Sequence, residues 1–152
     1  MLLVLFDIGS ERFGLDAREL TEILPSVPLR PVIGMPAGVA GLLLLRESLV
    51  PVIDLELMTS GRPCEQKLST RILVARYRRG PQGALLGLRV ARANDTATVE
   101  PGELEETGLT PTEPPAFGPV FRRGMQTIQL VDIDRLLSEA IRASLFAEAA
   151  AS

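Results

Sequence analysis

The sequence predicts a mainly β fold closed by one C-terminal helix. Three observations carry that expectation. The 13 glycines and 12 prolines are scattered along the 152 residues, which suits many short strands and tight turns better than a few long helices. The apolar runs are short, rich in β-branched residues and bounded by turn signals. Helical spacing is sustained in one place only, near the C-terminal end.

Leu2 to Phe6 reads as a fully buried strand, Gly9 as the turn after it, and Phe13-Gly14-Leu15 as the returning strand of a hairpin. Asp16 is placed to cap a helical turn over Ala17, Arg18 and Glu19. Leu20 to Leu24 is open to two readings. Leu20, Ile23 and Leu24 fit helical spacing ended by Pro25. As a strand, the reading taken here, Leu20, Glu22 and Leu24 share one face and Thr21 and Ile23 the other. A carboxylate between two leucines is either a functional contact or an edge-strand charge that discourages aggregation. Pro25, Pro28, Pro31 and Pro36 then make a stiff extended connection, and Gly34, Gly38 and Gly41 mark tight turns or close backbone passage.

The stretch from Gly41 to Leu55 organises the rest. Two apolar runs, Leu42 to Leu45 and Leu49 to Ile53, flank Arg46, Glu47 and Ser48, so the simplest geometry is a hairpin with those three at its tip. Pro51 cannot donate a ladder hydrogen bond and requires an edge or a bulge. Arg46 is either a solvated turn residue or a guanidinium held for a partner. Thr59 to Lys67 reads as a surface connection, and Cys64, with no base in the chain to activate it, as a free surface thiol.

Arg71 to Tyr77 and Ala84 to Val90 form a second hairpin. Its arginines 71, 76, 78 and 79 are a solvated end or a docking patch. From Asp95 to Glu113 there are acidic but no basic residues, with a short strand over Thr96 to Val99 and loop beyond, extended by Pro111, Pro114, Pro115 and Pro119. Met125 to Val131 alternates as a strand. Asp132 or Asp134 caps a helix whose apolar stripe is Leu136, Leu137, Ala140, Ile141, Ser144 and Leu145, packed on the β structure, and the tail Ala149 to Ser152 is expected to fray.

Several chemistries lose their usual instruments. With no histidine, the commonest general base and metal ligand is missing, and one cysteine builds neither a disulfide nor a thiolate metal site. No metal and no cofactor is expected. Asp7, Asp54, Asp132 and Asp134 each follow a strand, where a turn or cap wants Asp, and no spacing ties them to one pocket. The expectation is therefore no enzyme. A net charge of −3 with no tryptophan and one tyrosine gives no footprint for nucleic acid, although an oligonucleotide-binding small barrel is the alternative reading. No apolar run reaches the ~18 residues of a membrane span, and the start lacks a basic n-region, so no direct membrane insertion and a cytoplasmic location are expected.

Gly41, Leu45, Arg46, Pro51, Val52, Asp54 and Leu55 resemble the signature of the CheW-like family of bacterial chemosensory adaptors: a glycine, an apolar pair, Asn-Leu-Arg-Gly, then Pro-Val-x-Asp-Leu. Leu44 stands where asparagine is usual and Glu47 where glycine is usual. Leu20-Thr21-Glu22-Ile23-Leu24, Leu86 to Ala91 and Val131 to Leu137 are similar to further family segments, though Arg92 replaces a common acid. The resemblance implies one domain over residues 1–152: two small five-stranded SH3-like β-barrels side by side, connected near 59–68, with a C-terminal α-helix. It implies a scaffold that links the cytoplasmic tip of a chemoreceptor to a CheA-type histidine kinase at membrane receptor arrays. Leu20, Glu22 and Arg46 fall at receptor-binding positions; the kinase contact is not placed on residues. Leu68 to Ile72 and Phe117 to Val120 look more like adaptors of surface-sensing, Wsp-type systems, whose output is a diguanylate cyclase.

Overall fold

The computed structural model describes residues 1–146; the tail expected to fray lies outside them. Nine strands and two short helices follow in order: β1 Leu2–Ile8, β2 Glu11–Asp16, β3 Leu20–Pro25, β4 Val39–Leu45, β5 Ser48–Asp54, α1 Leu55–Ser60, β6 Arg71–Arg76, β7 Leu85–Thr98, β8 Phe117–Arg123, β9 Gln126–Val131 and α2 Glu139–Leu145. The expected mainly β class is what is found.

The strands form two five-stranded halves that share β7. One half runs β7-β1-β2-β9-β8, antiparallel except for β2 beside β9. The other runs β3-β6-β7-β5-β4, antiparallel except for β5 beside β7. Each sheet curls around its own apolar cluster. Leu3, Leu5, Val99, Phe121 and Ile128 fill the first barrel, and Leu43, Val50, Val52, Ile72 and Val74 fill the second. No ladder joins β3 to β4 among the described residues, so the second barrel has an open seam between its end strands.

A third cluster lies between the barrels. It contains Val4, Phe6 and Ile8 of β1, Ile53 of β5, Leu73 and Ala75 of β6, and Leu86, Leu88 and Val90 of β7. Side chains alternate along a strand. Leu3 and Leu5 therefore point into their barrel while Val4 and Phe6 point at the other one. Strands buried on both faces read as unbroken apolar runs, and β1, β5 and β6 carry such runs.

Four expectations are corrected. First, the loop near 59–68 does not connect the halves, because it runs from α1, after β5, to β6, both in the second barrel. The chain crosses through the 3-10 turn Ala17–Glu19 and within β7 itself. Second, Ala84 to Val90 and Thr96 to Val99 are not separate strands: β7 runs on through 14 residues. It turns from one barrel to the other near Arg92, whose φ of 51° is left-handed. Third, a register shift between Leu20 and Glu22 breaks the simple alternation of β3. Leu20 and Ile23 oppose Ala75 and Leu73 on the interbarrel side, whereas Glu22 and Leu24 oppose Val74 and Ile72 on the barrel-interior side. Fourth, α2 begins later than expected. Asp132 caps only the 3-10 turn Ile133–Arg135, and Ser138 Oγ accepts the Ile141 N–H that starts α2. Leu136 and Leu137 are buried before the helix, while Ile141 and Leu145 pack from it. Ala140 and Ser144 are exposed.

Two glycines are required by close approach. A Cβ at Gly41, where φ is 147°, would stand 2.6 Å from the Arg30 carbonyl oxygen. Arg30 crosses there, exchanging hydrogen bonds of 2.9 and 2.8 Å with Leu42. A Cβ at Gly87 would meet Val52 Cγ2 at 2.8 Å inside the second barrel. Leu88, fully buried between the barrels, tests how much that layer contributes. Leu88→Ala is expected to lower the urea unfolding free energy by about 2–5 kcal/mol, and the exposed Leu109→Ala by less than about 0.5 kcal/mol.

Candidate functional site

Arg46 and Glu22 meet across the open seam. Arg46 is in the turn between β4 and β5, Glu22 is on β3, and the Arg46 Nη2 donates to Glu22 Oε1. Those strands are the two ends of the second barrel's sheet, so this contact spans the gap that no ladder closes. Its two charges differ in exposure: the Arg46 side chain is 77% accessible and Glu22 22%. An exposed pair of this kind is worth no more than about 1 kcal/mol, and most of the guanidinium remains free to meet something else.

The turn holds Arg46 stiffly. Leu45 pairs with Ser48, which leaves only Arg46 and Glu47 in the loop; Ser48, expected at the tip, is the first residue of β5. Two-residue hairpins need positive φ, and Arg46 supplies it at 56°. A non-glycine residue there costs about 1–2 kcal/mol. Pro51 is tolerated because β5 gains its second partner, β7, only from Val52 onward.

Leu20, the third expected residue, is not on the face of Glu22. It is half-buried on the interbarrel side and packs against that core. Ile23, 46% exposed, shares Leu20's side of β3, a neighbour that simple alternation set on the opposite face. The structure thus brings Glu22 and Arg46 together and places Leu20 beside Ile23, one strand-face away.

The signature aspartate has a structural task. Asp54 is 1% exposed; its Oδ1 accepts the Leu57 N–H at 3.1 Å, capping α1, and its Oδ2 accepts the Cys64 N–H at 2.9 Å. That second bond draws the 61–70 loop onto the barrel end and buries Cys64, which corrects the expected surface thiol. Burial, then the Asp54 carboxylate, push the Cys64 thiol up to about 11. An Asp followed by Glu56-Leu57-Met58 is itself a helix-start signal, and the helix it starts takes in Thr59 and Ser60, the first two residues of the expected surface connection.

The arginines of the β6–β7 hairpin are also engaged. Arg76 Nη1 donates to the Arg18 carbonyl, Arg78 pairs with Glu19 at 2.8 Å, and Arg79 pairs with Glu139 at 3.0 Å. The basic cluster therefore pins the interbarrel turn and α2. Of the four aspartates, Asp132 and Asp134 line a cleft of about 520 Å³ with Asp16 and Glu19. Asp7 is held elsewhere by Arg12 at 2.9 Å. Inside the cleft Asp16 is depressed by its hydrogen bond from Arg18, and a carboxyl held low is a poor general acid.

Fold and site together define a two-barrel β protein with a charged pair set across the open seam of one barrel. The chain belongs to the CheW-like domain family, whose model matches residues 2–140. It is 26% identical over 137 residues to a chemotaxis protein CheW of Rhizobium meliloti (strain 1021), covering 87% of this chain and 84% of that one. It is 28% identical over 142 residues to a probable chemotaxis protein CheW of Rhizobium etli, covering 90% and 87%. The fold is similar to that of the scaffolding protein TtCheW from Thermoanaerobacter tengcongensis, with a TM-score of 0.75, 19% identity and coverage of 92% and 89%.

Two measurements follow from this geometry. At pH 8 the Cys64 thiol in the folded protein should react with a disulfide reagent at least about a hundredfold slower than in urea, because the thiolate fraction falls with the raised pKa. Comparable rates would contradict the burial. Arg46→Gly should leave the unfolding free energy within about 1 kcal/mol of the parent, since relief of the positive-φ cost offsets the lost ion pair. A larger loss would show the seam contact to be a major source of stability.

Proposed function

We propose that this protein is a non-catalytic adaptor that couples a methyl-accepting chemoreceptor to a CheA-type histidine kinase. Membership of the CheW-like family supports the class. The observation that carries the assignment to residues is the Glu22–Arg46 pair on the seam, with Leu20 and Ile23 on the adjoining strand face. A receptor tip is an amphipathic helix. Its apolar stripe finds Leu20 and Ile23, and its polar flank finds a guanidinium and a carboxylate fixed in orientation. Charges at such a rim set register and reject wrong partners more than they add affinity. Nothing in this work requires a bond to be made or broken. The protein acts at the membrane-bound receptor array from the cytoplasmic side; among the described residues no helix is long and apolar enough to cross a membrane.

The output reading is finer. Leu68 to Ile72 and Phe117 to Val120 support a surface-sensing pathway that ends in a diguanylate cyclase. A diguanylate cyclase gene beside this one would agree with that reading, and flagellar genes in its place would overturn it.

The adaptor reading is tested by pull-down from lysate with the tagged full chain. A chemoreceptor and a CheA-type kinase should be recovered together; nucleic acid as the main species would overturn the proposal. Arg46→Glu should abolish receptor recovery with the far-UV spectrum unchanged. The swap Glu22→Arg with Arg46→Glu rebuilds the internal pair with reversed polarity. Binding should stay lost in the swap, and its return would mean that the two residues only brace the seam.

A further inference from the structure

The buried polar side chains among the described residues are Asp54, Thr70 and Arg89, and all three lie at one end of the second barrel. A Cβ at Gly87 would face Val52 and Ile72 in the barrel interior, so Arg89, two residues on, enters the same interior. Asp54 and Ile72 are its ladder neighbours on either side. Arg89 is 9% exposed, yet no hydrogen bond or ion pair reaches its guanidinium among the described residues, and its Nε is sealed from water without a partner. A buried, unpaired cation is costly. The carboxylate beside it is already taken: Asp54 Oδ1 accepts the Leu57 N–H and Oδ2 the Cys64 N–H. Two donors thus compete for Oδ2, a loop amide that holds it and a guanidinium that has nothing. Burial does most to raise the Cys64 thiol, Asp54 comes next, and the charge of Arg89 opposes both, which sets the guanidinium in the same cluster.

The segment that carries the Cys64 amide is lightly held. From Gly61 to Leu68 every residue except Cys64 is exposed. Gly61, with φ of 79°, ends α1, and a Cβ there would meet nothing within 4 Å. At the far end Thr70 Oγ1 accepts the Lys67 N–H at 3.0 Å and donates to the Glu65 carbonyl at 2.7 Å, which folds residues 65–70 onto themselves. Apart from an exposed bond between Ser26 Oγ and Gln66 Oε1 at 3.0 Å, the segment is fastened to the barrel end by the Cys64 side chain and by its amide on Asp54.

We propose that residues 61–68 are a latch whose opening turns Cys64 into a modification site for small-molecule disulfides. Asp54 Oδ2 passes from the Cys64 amide to the Arg89 guanidinium, the segment lifts, and the thiol meets water. The ion pair gained inside the barrel end offsets the burial lost at Cys64. In the open form the Cys64 thiol gives its proton to water and the thiolate attacks one sulfur of the disulfide. The S–S bond of the reagent breaks, its other sulfur leaves as a thiolate, and Cys64 is oxidised as the disulfide is reduced. The mixed disulfide does not fit the seat that the thiol filled, so the latch stays open until a reducing thiol reverses the exchange.

The test is native-state hydrogen exchange of the full chain in a series of low urea concentrations, with the Leu73 amide of β6 as the reference for global unfolding. The Cys64 amide should exchange with almost no urea dependence, by local opening, while Leu73 follows the global slope. Arg89→Met removes the competing donor. It should slow exchange at Cys64, and the reaction of its thiol with dithiobis(nitrobenzoate) at pH 8, at least about tenfold more than it slows exchange at Leu73. Arg89→Gln, polar but uncharged, carries the same expectation, so the failure of one variant to fold leaves the other. In the parent chain with its mixed disulfide formed, amides 62–68 should exchange fast while Leu73 stays protected. A shared urea slope at Cys64 and Leu73, unchanged or faster exchange at Cys64 in the folded Arg89 variants, or loss of Leu73 protection on modification would each overturn the latch.

Discussion

The structure depends on the apolar layer between the two barrels. Neither five-stranded sheet is large, and each barrel interior holds only a handful of buried side chains. The larger cluster is the shared one, fed by β1, β5, β6 and β7 and closed by Ile133, Leu136 and Leu137 from the C-terminal segment. A strand that contributes to both a barrel interior and this layer has no face left for water, so its sequence cannot alternate. That constraint explains why β5 runs Val50, Val52 into one cluster and Ile53 into another, and why α1 begins on a fully buried Leu55. It also explains the arginines of β6 and its following turn: placed at the rim of the layer, they hold the crossing turn and α2 against it.

Much of this was legible in the sequence, for identifiable reasons. The β1–β2 and β4–β5 hairpins were visible because apolar runs ended at glycine or at a short polar break. The number and pairing of the barrels came from the resemblance and not from periodicity, since a run buried on both faces carries no alternation from which to assign a partner. β7 escaped because its second half, from Ala91 to Thr98, is polar and largely exposed, and the turn of the strand at Arg92 uses a positive φ that no glycine announced. The later start of α2 escaped because Leu136 and Leu137 fit a helical stripe equally well as two anchors in a 3-10 segment.

The site was legible in a different way. Arg46 and Glu22 were named from matching motifs, 24 positions apart in the chain, and nothing local in the sequence brings them together. Their meeting results from the curl of a sheet whose first and last strands face each other without pairing. Leu20 was misassigned in orientation because one extra residue in β3 reverses the face of everything before it. Cys64 was misjudged because its burial is imposed from ten positions away, by the second oxygen of the Asp54 carboxylate.

The passage of β7 through both barrels has a mechanical consequence. The two halves are not beads on a tether: a single extended segment is hydrogen-bonded into each of them, and its backbone has almost no slack. Twisting one half against the other would shear inter-strand bonds in both ladders together, so the molecule resists torsion as a stiff strut and holds whatever is attached at its two ends at a fixed spacing.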